Sequence, residues 1–206
     1  MKFLKRWLTF VVVLVSSVTA AAAASPPLNS SVRQELPYGR YEMVEYKDGV
    51  RQGVTKAYET RTDLLTGETP YVDGKREGVV KTFLWNGQVD WECPHHADVP
   101  DGICRTHYLN GQVNSEVTYV QGKRQGVEKK CFENGKLQSE VKYIDNKKEG
   151  PYTWYHENGT VMSACVYQAG KIDGECKSYD ENGRLSQEEM YKNGIPFGAN
   201  ILTMGH

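Results

Sequence analysis

Polar and apolar side chains alternate with a period of two through much of the chain. In "LQSEVKY", Leu137, Val141 and Tyr143 fall on one face while Gln138, Glu140 and Lys142 fall on the other, the pattern of a half-buried strand. "VNSEVTY" repeats it with Val113, Val117 and Tyr119 inward. The companion segments "VVKTFLW" and "PYTWYHE" alternate less cleanly, which predicts a bulge or two-sided packing. No segment carries a sustained helical stripe. The prediction is an all-β chain, an elongated antiparallel sheet of stacked hairpins.

The alternation is itself periodic. Copies beginning at Tyr119, Tyr143 and Tyr167 align at 24 residues, and earlier ones begin at Tyr46 and Tyr71. A glycine ladder carries the register: Gly53, Gly78, Gly102, Gly126, Gly150, Gly174 and Gly198, with every step 24 except a first step of 25. A second ladder of Asn-Gly pairs runs from Asn86-Gly87 to Asn182-Gly183. Both residue types tolerate positive φ, so each pair predicts a reversal through a tight primed turn. The first copy has "TRTDLLTGETP" there instead, the irregularity expected of a terminal cap.

The motif "YVQGKRQGVEKKCFENGKL" resembles the variant class of MORN repeats, the membrane occupation and recognition nexus family, over about residues 40 to 198. The resemblance implies a β-hairpin array of six copies that binds or scaffolds, with no catalytic residues to carry over. Bacterial members of the family are often labelled antitoxin-like, and related repeats look like immunity proteins against toxins. Classical members are linked to phospholipid headgroups and to oligomerisation. Two places depart from the type: Asn146 stands where the repeat has Gly, and His95 to Pro100 lack both the Tyr and the Gly-Lys turn.

Residues 1–24 place Lys2, Lys5 and Arg6 before a short apolar core and end in alanines, the anatomy of a cleaved secretory signal. The apolar core from Trp7 to Val15 is too short to cross a hydrocarbon layer, which needs about 20 residues. A linker over residues 25–37, a repeat domain over 38–198 and a tail over 199–206 complete the expected organisation. The expected location is the periplasm or the exterior. Loss of the signal leaves 22 basic against 26 acidic residues, a formal charge of −4. Basic residues lie scattered among acids, which argues against a nucleic-acid partner.

All five cysteines lie in the exported part, where disulfides persist. "CPHHADVPDGIC" is the densest chemistry in the chain, and the repeat supplies its register. Cys93 and Cys165 stand fifteen residues after a ladder glycine, and Cys104 and Cys176 stand two after one. Each pair straddles an expected turn, centred between Asp98 and Val99 or between Gly170 and Lys171. The expectation is Cys93–Cys104 and Cys165–Cys176, with Cys131 free where other copies have Phe83, Tyr155 or Tyr179. An intermolecular bond is the alternative for Cys131, given the odd count.

A metal site built from His95, His96, Asp98, Asp101 and His107 is the rival reading of that segment, but its spacing matches no standard zinc pattern. Ser115, Ser139 and Ser163 recur at one strand position, as packing residues would. Nothing calls for a metal, a cofactor or catalysis. The candidate partner contacts are His95, His96 and Asp98 on the turn, together with Trp91 and Trp154, which replace small residues of the other copies. The expected function is that of a non-catalytic periplasmic protein that binds another protein, in the narrower form an immunity protein against an exported toxin or secreted effector. The alternative is an envelope scaffold, structural or bound to phospholipid at the membrane surface. A homodimer through an exposed end repeat is a further expectation.

Overall fold

The structure is a computed structural model and describes residues 29–200; the expected signal peptide and residues 201–206 lie outside the described residues. The chain runs through β1 (Asn29–Leu36), β2 (Arg40–Lys47), β3 (Val50–Arg51), β4 (Gly53–Glu59), β5 (Leu65–Val72), β6 (Lys75–Arg76) and β7 (Gly78–Phe83). It continues through β8 (Val89–His96), β9 (Val99–Pro100), β10 (Gly102–His107), β11 (Val113–Val120), β12 (Lys123–Arg124) and β13 (Gly126–Cys131). The last strands are β14 (Leu137–Ile144), β15 (Lys147–Tyr155), β16 (Val161–Gln168), β17 (Lys171–Tyr179), β18 (Leu185–Lys192) and β19 (Ile195–Asn200). All nineteen belong to one sheet, and every pairing is antiparallel between chain neighbours, so the sheet is a single meander.

The segment expected as a linker is in part a strand. β1 pairs with β2 along its whole length and sets Val32 opposite Val44, which is fully buried. Its alternation of exposed and half-buried positions is the period-two pattern of a covering strand.

The primed turns expected at the Asn-Gly pairs lie elsewhere. In each Asn-Gly reversal only the glycine has positive φ, as at Gly87 (82°) and Gly159 (92°). Leu84 N–H donates to Gln88 O and Gly87 N–H donates back to Leu84 O, a three-residue loop in which a type I turn precedes a left-handed glycine. The Asn86 carboxamide oxygen accepts the Gln88 N–H at 3.1 Å, and Asn110, Asn134 and Asn158 do the same in their copies. The primed turns lie on the opposite edge, at Asp48-Gly49, Asp73-Gly74, Ala97-Asp98, Gln121-Gly122, Asp145-Asn146, Ala169-Gly170 and Asn193-Gly194, where both residues have positive φ.

The ladder glycines mark a bulge in the strand after each primed turn. From Glu92 to His95 the chain advances three residues, while the facing strand advances five, from Pro100 to Arg105. Two residues are therefore extra, and the backbone accommodates them at Gly102, whose φ is 125°. A Cβ there would come within 3.0 Å of Pro94. This bulge also explains why each expected turn centre lies one residue late. The loops are Ala97-Asp98 and Ala169-Gly170, and the two extra residues bring the cysteines back into register.

A single layer leaves two unlike faces. Val44, Thr55, Cys93, Cys104, Ser139, Val141 and Tyr143 are all buried and share one face by strand parity. Their own neighbours cover them: the Arg124 guanidinium lies 4.4 Å from the Tyr143 ring centre, and Lys148 Nζ lies 4.1 Å from that of Tyr152 and 5.0 Å from that of Tyr167. Burial lowers the Lys148 pKa below its ordinary value and raises those of Tyr143 and Tyr152. On the other face Val54, Val79, Ile103, Val127, Val166 and Met190 stay 37 to 44% exposed.

Candidate functional site

The closed face holds two braced centres. Cys93 bonds Cys104 and Cys165 bonds Cys176, with Cα separations of 4.1 and 4.0 Å. Each bridge joins directly facing positions in a pair without hydrogen bonds across it, where backbones approach closest. Trp91, two residues before Cys93 on β8, sits with its ring 6.5 Å from His95 in an edge-on arrangement. Trp154 faces Ser163 while its neighbour Tyr152 faces Cys165, and the rings of Tyr152 and Trp154 lie 5.3 Å apart. Both tryptophans are half-buried. Five strand spacings separate β8 from β15, about 24 Å, so the two do not form one site.

The hairpin between Cys93 and Cys104 divides its candidates. His95 is not a surface contact: it occupies the tyrosine position of the repeat, is 6% exposed, and its Nδ1 lies 3.0 Å from the Cys93 carbonyl oxygen. That carbonyl can only accept, so Nδ1 carries the proton. His96 is exposed and bonds Glu77 through Nδ1 at 2.9 Å. The hydrogen bond to Glu77 raises the His96 pKa above its ordinary value, while the Ala97 N–H and then His96 lower that of Glu77. Asp98 accepts the Arg76 N–H at 2.9 Å, the main cause of its lowered pKa.

These bonds are one instance of a clasp between successive copies. The second residue of each primed turn donates its N–H to the arm of the copy before: Gly74 to Arg51, Asp98 to Arg76, Gly122 to Pro100, Asn146 to Arg124, Gly170 to Lys148 and Gly194 to Ile172. The side chain before the ladder glycine accepts the first N–H of the next turn, as Gln52, Glu77, Gln125, Glu149 and Asp173 show. Asn146 and Asp98 stand where other turns have glycine. Each uses its side chain to accept an arm N–H, a compensation glycine does not offer.

No group of three His, Cys, Asp or Glu side chains able to hold a metal occurs among the described residues. Cys131 is free and half-buried, and its carbonyl accepts the Tyr108 hydroxyl at 2.7 Å. The His107 Nδ1 is buried without a hydrogen-bond partner.

The open face carries two rows that the sequence reading missed. One is the apolar row of Val54, Val79, Ile103, Val127, Val166 and Met190. Beside it runs a charged row in which Lys56, Glu68, Lys81, Glu92, Arg105, Glu116, Lys129 and Glu140 face one another in succession. Arg105 and Glu116 approach to 3.4 Å and Lys177 and Glu188, further along, to 3.6 Å. Opposite charges on facing strands support the sheet by about 0.2 to 1 kcal/mol per pair. The signal in the sequence is a Lys or Arg three residues after five of the ladder glycines and a Glu at 24-residue spacing from Glu68 to Glu140.

One layer of near-identical hairpins, clasped edge to edge, defines a β-hairpin repeat protein. Residues 100–121, 124–145, 148–169 and 172–193 match the family model for the MORN repeat variant. The chain thus carries four consecutive variant MORN repeats, and the copies before them are built the same way. No curated protein matches the chain. Among solved structures, crystal structures of TarM and of an S. aureus TarM mutant in complex with Fondaparinux, alpha-GlcNAc-glycerol and UDP are similar at 11% identity and a TM-score of 0.34. The match covers 59% of this chain and 21% of each of those. Such a distant likeness carries no argument about activity.

Proposed function

We propose that this chain is a non-catalytic, exported binding protein that takes up another protein on the open face of its sheet. The observation that carries this reading is the row from Val54 to Met190, where six apolar side chains stay 37 to 44% exposed along one face. Thr118, Lys142 and Glu175 face members of this row, and exposed apolar side chains aligned among charged ones suit an interaction surface. Titratable side chains pair with near neighbours along the rows instead of converging, which favours binding over catalysis. Two disulfides fit an oxidising compartment and agree with the export signal expected at the N-terminus. An exported toxin, neutralised by this chain as its immunity protein, is the narrower reading of the partner.

The test is Val79→Glu/Ile103→Glu/Val127→Glu as bait, beside the unaltered chain, in an extract of the native exported fraction. The three sites are partly exposed, so the variant should keep its circular dichroism spectrum and melting point. Protein recovered by the unaltered chain and lost with the variant supports the reading, and equal recovery refutes it. Recovery with phosphatidylglycerol vesicles instead of protein would establish the envelope alternative.

A further inference from the structure

The charged row of the open face breaks at one place. After Glu140 the next two facing positions are Thr153 and Ala164, and charge resumes at Lys177 and Glu188. Lys or Arg stands at the Thr153 position after Gly53, Gly78, Gly102, Gly126 and Gly174, and from Glu68 to Glu188 the Glu position is filled in every copy except at Ala164. Where the long side chains are missing, the surface hollows. One depression of about 440 Å³ is lined by Val127, Pro151 and Thr153 with Glu140 at its rim. A second, of about 590 Å³, shares Thr153 and is lined by Val161, Ala164, Tyr155 and Tyr179. The two meet at Thr153, and the first reaches the apolar row at Val127.

The gap leaves Glu140 with a cation on one side only, while Lys177 keeps two carboxylates beside it, Glu175 at 2.7 Å and Glu188 at 3.6 Å. Glu92 and Glu116 each face a cation on both neighbouring strands, whereas Glu140 faces Lys129 on one side and Thr153 on the other. Its one oxygen accepts the Tyr155 hydroxyl at 2.8 Å. Lys177 faces Glu188 on one side and Ala164 on the other, with Glu175 beside it on its own strand at 2.7 Å. The rim residues Lys142 and Glu149 face each other, and the Glu149 carboxylate accepts the Ala169 N–H at 2.9 Å.

We infer that the hollow at Thr153 and Ala164 is the anchor site for the partner protein, and that it receives an apolar side chain flanked by a basic residue toward Glu140. The inference rests on the open face being the binding surface. Two strand spacings separate Glu140 from Ala164, about 10 Å, which an extended segment covers in about three residues. The occupant restores one cation of the alternation, beside Glu140, and sets an aromatic or branched aliphatic group over Ala164. Interface anchors of this kind, apolar in a pocket with a charged surround, dominate binding energy.

The variant Thr153→Lys/Ala164→Glu restores the row and fills the hollow. It reproduces the pairs Lys129–Glu140 and Lys177–Glu188, so it should fold as the unaltered chain does. The probe is a phage-displayed random dodecapeptide library selected on the full chain. The expected result is enrichment of peptides with a basic residue about three positions from an aromatic or branched aliphatic one, and recovery at least tenfold lower on the variant. Absence of that pattern, absence of enrichment, or equal recovery on the variant would overturn the inference. Capture of the native partner separates this outcome from that of the broader reading. A partner held by Thr153→Lys/Ala164→Glu but lost from Val79→Glu/Ile103→Glu/Val127→Glu leaves the open face as the binding surface and removes the anchor; a partner held by both removes both.

Discussion

The two disulfides close loops of identical length in surroundings that differ, and this gives a comparison with a predicted order. Each bridge spans a sequence separation of 11, for which the chain-entropy relation gives about 3 kcal/mol of stabilisation. Cys93 and Cys104 are 1% and 4% exposed, whereas Cys165 and Cys176 are half-buried. Cys93→Ala/Cys104→Ala therefore removes two enclosed sulfur atoms in addition to the constraint. At the scale of deleting one buried methyl group, about 1 kcal/mol each, the total reaches about 5 kcal/mol. Cys165→Ala/Cys176→Ala should cost about 3 kcal/mol, with little added for its wetter site. Urea unfolding without reductant, followed by tyrosine and tryptophan fluorescence, measures both. A loss at 165/176 equal to or greater than that at 93/104 would refute the burial reasoning. Insensitivity of the unaltered chain to dithiothreitol would refute the bridges themselves. Because repeat arrays unfold as coupled neighbours, the 93/104 variant should also show an earlier transition confined to the N-terminal copies.

Other outcomes are expected with equal definiteness. Gly102→Ala combines a φ of 125° with a Cβ 3.0 Å from Pro94 and should destabilise by about 2 to 4 kcal/mol, whereas Gly183→Ala, with φ 77° and open space, should cost less; equal costs in urea unfolding would show that Pro94 gives way. The raised pKa of His96 contributes stability that is complete below its ordinary value of 6.5 and lost as pH rises through the raised folded value. The lowered pKa of Glu77 contributes stability present above its ordinary value of 4.5 and lost as pH falls through the lowered folded value. The melting temperature of the unaltered chain should therefore fall relative to that of His96→Gln as pH rises through the slightly alkaline side of 6.5, and parallel profiles would remove the pair from the account. Trp154→Ala, on the closed face, should lower stability by about 1 to 2 kcal/mol, roughly half the cost of a fully buried tryptophan, and leave partner capture intact; loss of capture in a folded variant would place the partner on the closed face.

The repeat was legible because its determinants are local. Glycine at each bulge, Asn-Gly at each three-residue loop and period-two alternation on β11 and β14 are choices that one copy makes without reference to another. The turn types were assigned to the wrong edge because Asn-Gly suits two turns. What separates them is whether Asn adopts positive φ or caps the loop with its side chain, and loop length decides that. The strand at 29–36 was hidden by composition, since Ser, Asn and Arg are poor strand formers and only pairing with β2 makes β1 a strand. His95 looked like surface chemistry in a loop. It is buried because it stands two residues after Cys93 on β8 and so shares the closed face, at the tyrosine position of the repeat. The charged row needed the pairing register to bring together residues that lie far apart in sequence.

The clasp along the primed-turn edge gives the molecule a direction of assembly. Each later turn donates to an arm that precedes it by 22 or 23 residues, and the first turn has Asn29 in place of an earlier copy, its side-chain oxygen 3.3 Å from the Asp48 nitrogen. Every copy therefore finds its template already in place when the chain is built from its N-terminus, and no bond of the clasp waits for the far end. Chains ending after Lys147 or Lys171 should keep slow amide exchange in all but their last hairpin, and general loss of protection would show that the array closes only as a whole. Such a molecule can fold at the pace at which its chain emerges, one hairpin at a time.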